Sequence, residues 1–236
     1  MTGADRQVPG SLAAPLTRVY AEFADYRCPQ DLWVCPQCGP EFSARDICAT
    51  PLRLVSFSQL EAVHVMSLDD DTLRYFFPRL AELLLVDPWQ AFSFRLSRLK
   101  GRLLAWKPAE SAAVRQFTLA AWQEFLMAYP ASLGYLTDSP SMLSFSDWCD
   151  VPLQPLLDGW QSIDTPSAAR HLADLIDHVC TKADPFDPAI SAPVLAWLRQ
   201  PVIGEHLENA FFTAESEEVA RELSAAHELW SVCVSA

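Results

Sequence analysis

Asp69 to Val86, written DDDTLRYFFPRLAELLLV, is the stretch whose reading decides the fold. Apolar residues fall at Leu73, Phe76, Phe77, Leu80, Leu83 and Leu84, the three-and-four spacing of a helix that buries one face. Three aspartates stand at its front, where carboxylates cap free N–H groups and favour the positive end of the helix dipole. Pro78 has no N–H to donate and its ring crowds the preceding turn, so a kink, or two short helices meeting there, is expected. A segment this apolar is a central packing element. It carries no catalytic signature.

Working outward toward the N-terminus, Ser58 and Glu61 match the serine-x-x-glutamate capping box. The helix they start would bury Leu60, Val63 and His64 on the way to Met66. Ser43 caps a short helix carrying Cys48. Residues 26–42, YRCPQDLWVCPQCGPEF, hold three prolines and a glycine and read as a loop. Leu12, Leu16, Val19, Tyr20 and Phe23 give a first amphipathic helix from Ser11 to about Asp25, and residues 1–10 are loose.

In the other direction, Asp87-Pro88 stops one helix and restarts another, from Trp89 to about Leu104, whose end Gly101 weakens. Lys107-Pro108 opens the longest helix, to about Tyr129, apolar on more than one face as a helix in the middle of a bundle is. Residues 130–155, rich in Pro, Ser and Asp, are where a subdomain boundary is expected within a single domain spanning 11–236. Leu153 to Trp160 forms a short helix interrupted by Pro155. Thr165-Pro166 starts the next, which continues through Leu172, Leu175, Ile176 and Val179. Residues 182–192 read as a loop, followed by helices from Pro193 to Arg199, Pro201 to Phe212 and Ser216 to about Val232. About ten helices result, with no convincing strand alternation. The fold class is all-α: a multi-helix bundle or an irregular stack of antiparallel helix pairs.

Half of the 236 residues are hydrophobic and a fifth charged, the balance of a globular chain. The formal net charge is −13. Such a field repels phosphate backbones and anionic lipid head groups, which argues against nucleic acid and membrane surfaces as partners and for a basic protein. The same charge also serves plain solubility. No apolar run approaches the roughly twenty residues of a membrane span. MTGADRQVPGS lacks the order of a secretory signal, and seven cysteines form no secreted disulfide framework, so a reducing cytoplasm is the expected compartment.

The sharpest chemical signal is Cys35-Pro-Gln-Cys38, a CxxC turn flanked by Cys28 and Cys48. Two thiolates in one tight turn can bind a metal, and a structural zinc site needs two further ligands, for which Cys28 and Cys48 are the candidates. A metal-free loop of reduced or reversibly oxidised thiols stands beside that reading. His171, Asp174 and His178 share a helix at metal-ligand spacing, but the apolar pattern places them on its solvated side. His64, His206 and His227 read as structural. Arg74 and Arg79 flank Pro78 and could hold an anion or a partner, or pair with Asp69, Asp70, Asp71 and Glu82 on neighbouring turns. No GxSxG elbow and no phosphate-cradling glycine motif occurs. The eight tryptophans read as core.

The string CATPLRLVSFSQLEAVHVMSLDDDTLRYFFPRLAELL resembles an uncharacterised family of bacterial helical proteins, whose members carry an ATPLREL-like segment followed by a RYFLPRLLELL-like one. AVRQFTLAAWQEFL and VLAWLRQPVIGEHLENAFF are similar to later parts of that family. The points that carry the resemblance are Thr50, Pro51, Leu52, Arg53, Arg74, Tyr75, Phe76, Pro78 and Arg79. Leu54-Val55 departs from it, where the family tends to have an acidic residue. The resemblance implies a bacterial cytoplasmic protein and transfers no catalytic residue. The resemblance supplies no function. Charge, size and the lack of a catalytic constellation, with the cysteine turn, leave two functional expectations. The first is a non-catalytic acidic helical protein that binds another protein, such as a basic toxin or enzyme it neutralises. The second is a metal-assisted enzyme with a structural, cysteine-bound zinc.

Overall fold

A computed structural model describes residues 7–86, 95–182 and 186–233. Among them the chain is all-α, with eleven α-helices, several short 3-10 turns and no strand. The helices are α1 (Gly10–Glu22), α2 (Ala44–Ala49), α3 (Phe57–Ala62), α4 (Asp70–Val86), α5 (Pro108–Met127), α6 (Ser139–Trp148), α7 (Leu153–Gln161), α8 (Pro166–Thr181), α9 (Pro188–Leu198), α10 (Pro201–Phe212) and α11 (Glu217–Cys233). They fall into two compact units. One holds the residues up to Ala121, with Leu133–Tyr135 and Trp148–Asp150; the other holds Trp122–Ser132, Leu136–Asp147 and the residues from Val151 onward.

The first unit is built on α4. Asp69 Oδ1 accepts the N–H groups of Asp71 and Thr72, both at 3.0 Å, and Thr72 Oγ1 donates to Oδ2 at 2.7 Å. Those donors hold the Asp69 carboxyl below the usual carboxylate range, the Thr72 N–H most strongly. α4 runs through Pro78 as one helix, without the break into two short helices that was one of the two expectations there. Losing a helical hydrogen bond to proline costs roughly 3 kcal/mol. Seven leucines and phenylalanines buried from Leu73 to Leu85 outweigh it, at roughly 1.5–3 kcal/mol each. Helices α1 and α3 pack against α4. Phe23, Phe77 and Trp106 close the contact, with ring centroids 5.3–5.6 Å apart.

Three boundaries differ from the sequence expectation. The capping box is Ser56 with Gln59, two residues earlier than Ser58 with Glu61, so α3 ends at Ala62. The expected helix from Trp89 to Leu104 lies outside the described residues up to 94. Beyond them the chain makes two 3-10 turns, Leu96–Leu99 and Arg102–Ala105. Gly101 separates these turns at φ +80°, a left-handed conformation that no helix can include. Pro155 does not interrupt α7, because it falls in the first turn, where an N–H has no helical partner to lose.

In the second unit α8, α10 and α11 pack on one another, and α7 packs on α9. Thr165 caps α8 from its side chain, with Pro166 opening the helix. The segment expected as a loop over 182–192 holds the start of α9, through the same device: Asp187 accepts the Ala189 N–H at 3.0 Å and Pro188 follows it. Trp122, Trp160 and Trp197 form a continuous aromatic core, Trp160 lying edge-on to Trp122 at 5.3 Å and stacked on Trp197 at 5.4 Å. Not every tryptophan is core: Trp33, in the first unit, is 57% exposed.

Candidate metal centre

Residues 28–48 fold back against α3. The Cys35 N–H donates to the Ala62 carbonyl at 2.8 Å, tying the CxxC turn to the last residue of that helix. Gly39 allows the approach: a Cβ there would stand 2.5 Å from the Ala62 Cβ and 2.8 Å from the Phe42 ring. Inside the turn, the Cys38 N–H donates to Cys35 Sγ at 3.2 Å, the bond that a thiolate in a metal-binding knuckle accepts.

α3 ends at Ala62, two residues before His64. His64 has φ +49° and ψ +54°, a left-handed conformation for a residue with a Cβ, and its N–H and carbonyl are held by Glu61 and Ser67. This turns the imidazole out of the helix and onto Cys38, with Nε2 at 3.0 Å from Sγ. The edge of the Trp33 ring supports the imidazole at a centroid distance of 5.5 Å. Cys35 Sγ, Cys38 Sγ and a ring nitrogen of His64 all lie within 4.8 Å of one another. With Zn–S of about 2.3 Å and Zn–N of about 2.0 Å, tetrahedral sulfur and nitrogen ligands stand about 3.5 Å apart. The three residues can therefore hold a metal ion after shifts of up to about one ångström. Hydrogen bonding divides the two thiols: the contact with Cys38 is the main cause holding Cys35 below the usual thiol range, while Cys38 is pushed up.

The four-cysteine set is not brought together. Cys28 and Cys48 are joined to each other in a disulfide, which leaves neither a thiolate to offer a metal. His64, expected to be buried and structural, is exposed and stands in their place beside Cys35 and Cys38.

No family model, curated protein or solved structure matches this chain. The site is therefore read from its own chemistry. An open cleft of about 340 Å³ lies against Cys38 and His64 and is also lined by Glu61, Arg95 and Arg98. A second cleft, of about 310 Å³, shares His64 but is lined by Asp31 and Asp69.

The other residues singled out in the sequence are engaged elsewhere. Arg74 pairs with Asp71 at 2.8 Å and with Glu110 at 3.5 Å. Arg79 pairs with Glu82 at 2.8 Å and donates to the Val55 carbonyl at 2.7 Å. Both guanidinium groups thus serve internal contacts, and neither lines the cleft at the metal centre.

His171 is not on a solvated face: it is 2% exposed, donates from Nε2 to the Ala128 carbonyl at 3.0 Å and lies 3.9 Å from the Phe125 ring. Asp174 accepts the Tyr129 hydroxyl at 2.8 Å, and burial and that carboxylate push Tyr129 up to about 12. Among the described residues this trio is not a metal cluster.

Burial holds the His171 imidazole below its usual range. The unfolded chain therefore binds the proton more readily, and stability falls as pH drops below the ordinary histidine value of about 6.5. His206, lowered by burial in the same direction, adds to that loss. His171→Phe is expected to lose less stability than the wild type between pH 7.5 and pH 5, measured by urea unfolding. An unchanged pH slope would contradict the assignment.

Proposed function

We propose that this chain is a zinc protein whose centre is Cys35, Cys38 and His64, and that the centre is open to ligand rather than a closed structural clamp. The observation that carries this is a donor set of two thiols and one imidazole beside a cleft, with no fourth ligand grouped with them among the described residues. Structural zinc sites close with four protein ligands, whereas sites that act on a ligand leave one position free. Thiolate and imidazole donors suit zinc better than the hard cations that take oxygen. This reading makes a metal-assisted activity at the Cys38–His64 cleft the function the geometry favours.

The second reading is binding of a basic protein, supported by the net charge of −13. The two are compatible. No helix among the described residues is long and apolar enough to cross a membrane. Membership of the bacterial family that the sequence resembles, and a cytoplasmic location, belong to the same proposal. The Cys28–Cys48 disulfide is the observation that counts against a reducing compartment.

Metal analysis of the purified protein tests the reading. One zinc per chain is expected in the wild type and none in Cys38→Ser. A wild-type preparation that takes up no added zinc, with Cys35 and Cys38 both open to alkylation, would overturn it.

A further inference from the structure

We propose that the metal centre takes a small oxyanion, a carboxylate or phosphate group, as its exchangeable ligand, received by Arg95 and Arg98; this rests on the metal reading above. His64 stands between two clefts of opposite character. On one side Cys38 and His64 share the cleft with Arg95, Arg98 and Glu61; on the other, His64 shares it with Asp31 and Asp69.

Two thiolates cancel the charge of a divalent ion and a neutral imidazole adds none. The metal itself is then a weak attractant for an anion, and selection passes to the surroundings. Arg95 and Arg98 against Glu61 leave the first cleft net positive, in a chain that is strongly acidic as a whole. The two aspartates leave the second cleft negative.

Arg18, Arg53, Arg74, Arg79, Arg102 and Arg170 are ion-paired, while Arg27, Arg45, Arg115, Arg199 and Arg221, like Arg95 and Arg98, have no ion pair among the described residues. Arg95 and Arg98 differ from the other five in lining the cleft beside Cys38 and His64. Among the described residues no carboxylate pairs with Arg95 or Arg98. Arg98 Nη1 donates to Ser67 Oγ, a neutral contact that orients the guanidinium without consuming its charge. A planar guanidinium matches an oxyanion through two parallel hydrogen bonds. An oxyanion entering this cleft meets the metal's free position together with two guanidinium groups that no described carboxylate pairs.

The test uses the full chain loaded with Co²⁺, whose visible d–d bands report its ligands, titrated with inorganic phosphate and separately with acetate at constant ionic strength. A saturable band shift is expected with at least one anion, and which one responds identifies the oxyanion. Arg95→Gln/Arg98→Gln is expected to raise the Kd at least tenfold with Co²⁺ uptake and helix content unchanged. Both side chains are exposed, and each single variant checks the double. Uptake of Co²⁺ with no response to either anion overturns this inference alone, as does an undiminished response in the double variant. Failure to take up Co²⁺ overturns the metal reading and this inference with it.

Discussion

Replacing Glu110 by alanine is expected to destabilise the protein by about 3–5 kcal/mol, the range for breaking a buried ion pair from one side. Glu110 is 1% exposed and lies in the first turn of α5. Its carboxylate accepts the Tyr26 hydroxyl at 2.7 Å and the Lys107 N–H at 3.1 Å. It also lies 3.5 Å from Arg74 Nε and 3.4 Å from Lys107 Nζ. Alanine removes all four contacts at once. Arg74, largely buried beside Trp106 and Tyr26, keeps Asp71 as its one ionic partner among the described residues, and that carboxylate is exposed and screened. The Tyr26 hydroxyl, pushed above its usual range by burial and by Glu110, loses its acceptor. Glu110→Gln keeps one acceptor oxygen but loses the charge and turns the other oxygen into an NH2 that faces donors. It is therefore expected to recover only part of the loss. Urea unfolding reads both variants. A loss below about 1 kcal/mol for Glu110→Ala would show that the hub is dispensable.

His64→Gly is expected to separate metal binding from stability. Removing an outer-shell partner of a metal ligand already costs about 10–100-fold in affinity, so removing one of three direct ligands is expected to cost at least about 100-fold. The backbone at His64 responds in the opposite sense. A left-handed conformation costs an L-residue roughly 1–2 kcal/mol, and glycine adopts it freely, offset by roughly 0.5–1 kcal/mol of lost chain entropy. The metal-free glycine variant is therefore expected to match or exceed the wild type in stability, whereas His64→Ala loses the ligand and keeps the strain. A chelator competition titration and a urea melt on the same preparations read the two effects. Zinc affinity in His64→Gly equal to the wild type would remove His64 from the centre. His64 is held in a left-handed conformation that places its imidazole against the Cys38 thiol.

The spacing of Leu73, Phe76, Phe77 and Leu80 was enough to find α4, because burial of one face leaves a periodic trace in the chain. Two of the three residues of the candidate centre were legible for a similar reason: Cys35 and Cys38 come from one turn, so their proximity is local. His64 was not. Ser56-x-x-Gln59 and Ser58-x-x-Glu61 are overlapping capping registers, and the later one runs the helix through His64 and counts it as interior. In the observed register the helix ends at Ala62, and His64 becomes the residue that leaves it in a left-handed turn. Histidine is among the few non-glycine residues enriched there. The pairing of Cys28 with Cys48 is tertiary and leaves no such trace, since spacing alone fits a ligand pair equally well. The break at Gly101 and the buried His171 were missed because single positions, rather than periods, decide them.

X-ray absorption at the zinc edge of the loaded protein tests the central claim most directly. The account expects two sulfur ligands at about 2.3 Å, with one imidazole nitrogen and one further light atom at about 2.0 Å. Four sulfur ligands would instead place Cys28 and Cys48 on the metal and contradict it, as would a shell without sulfur.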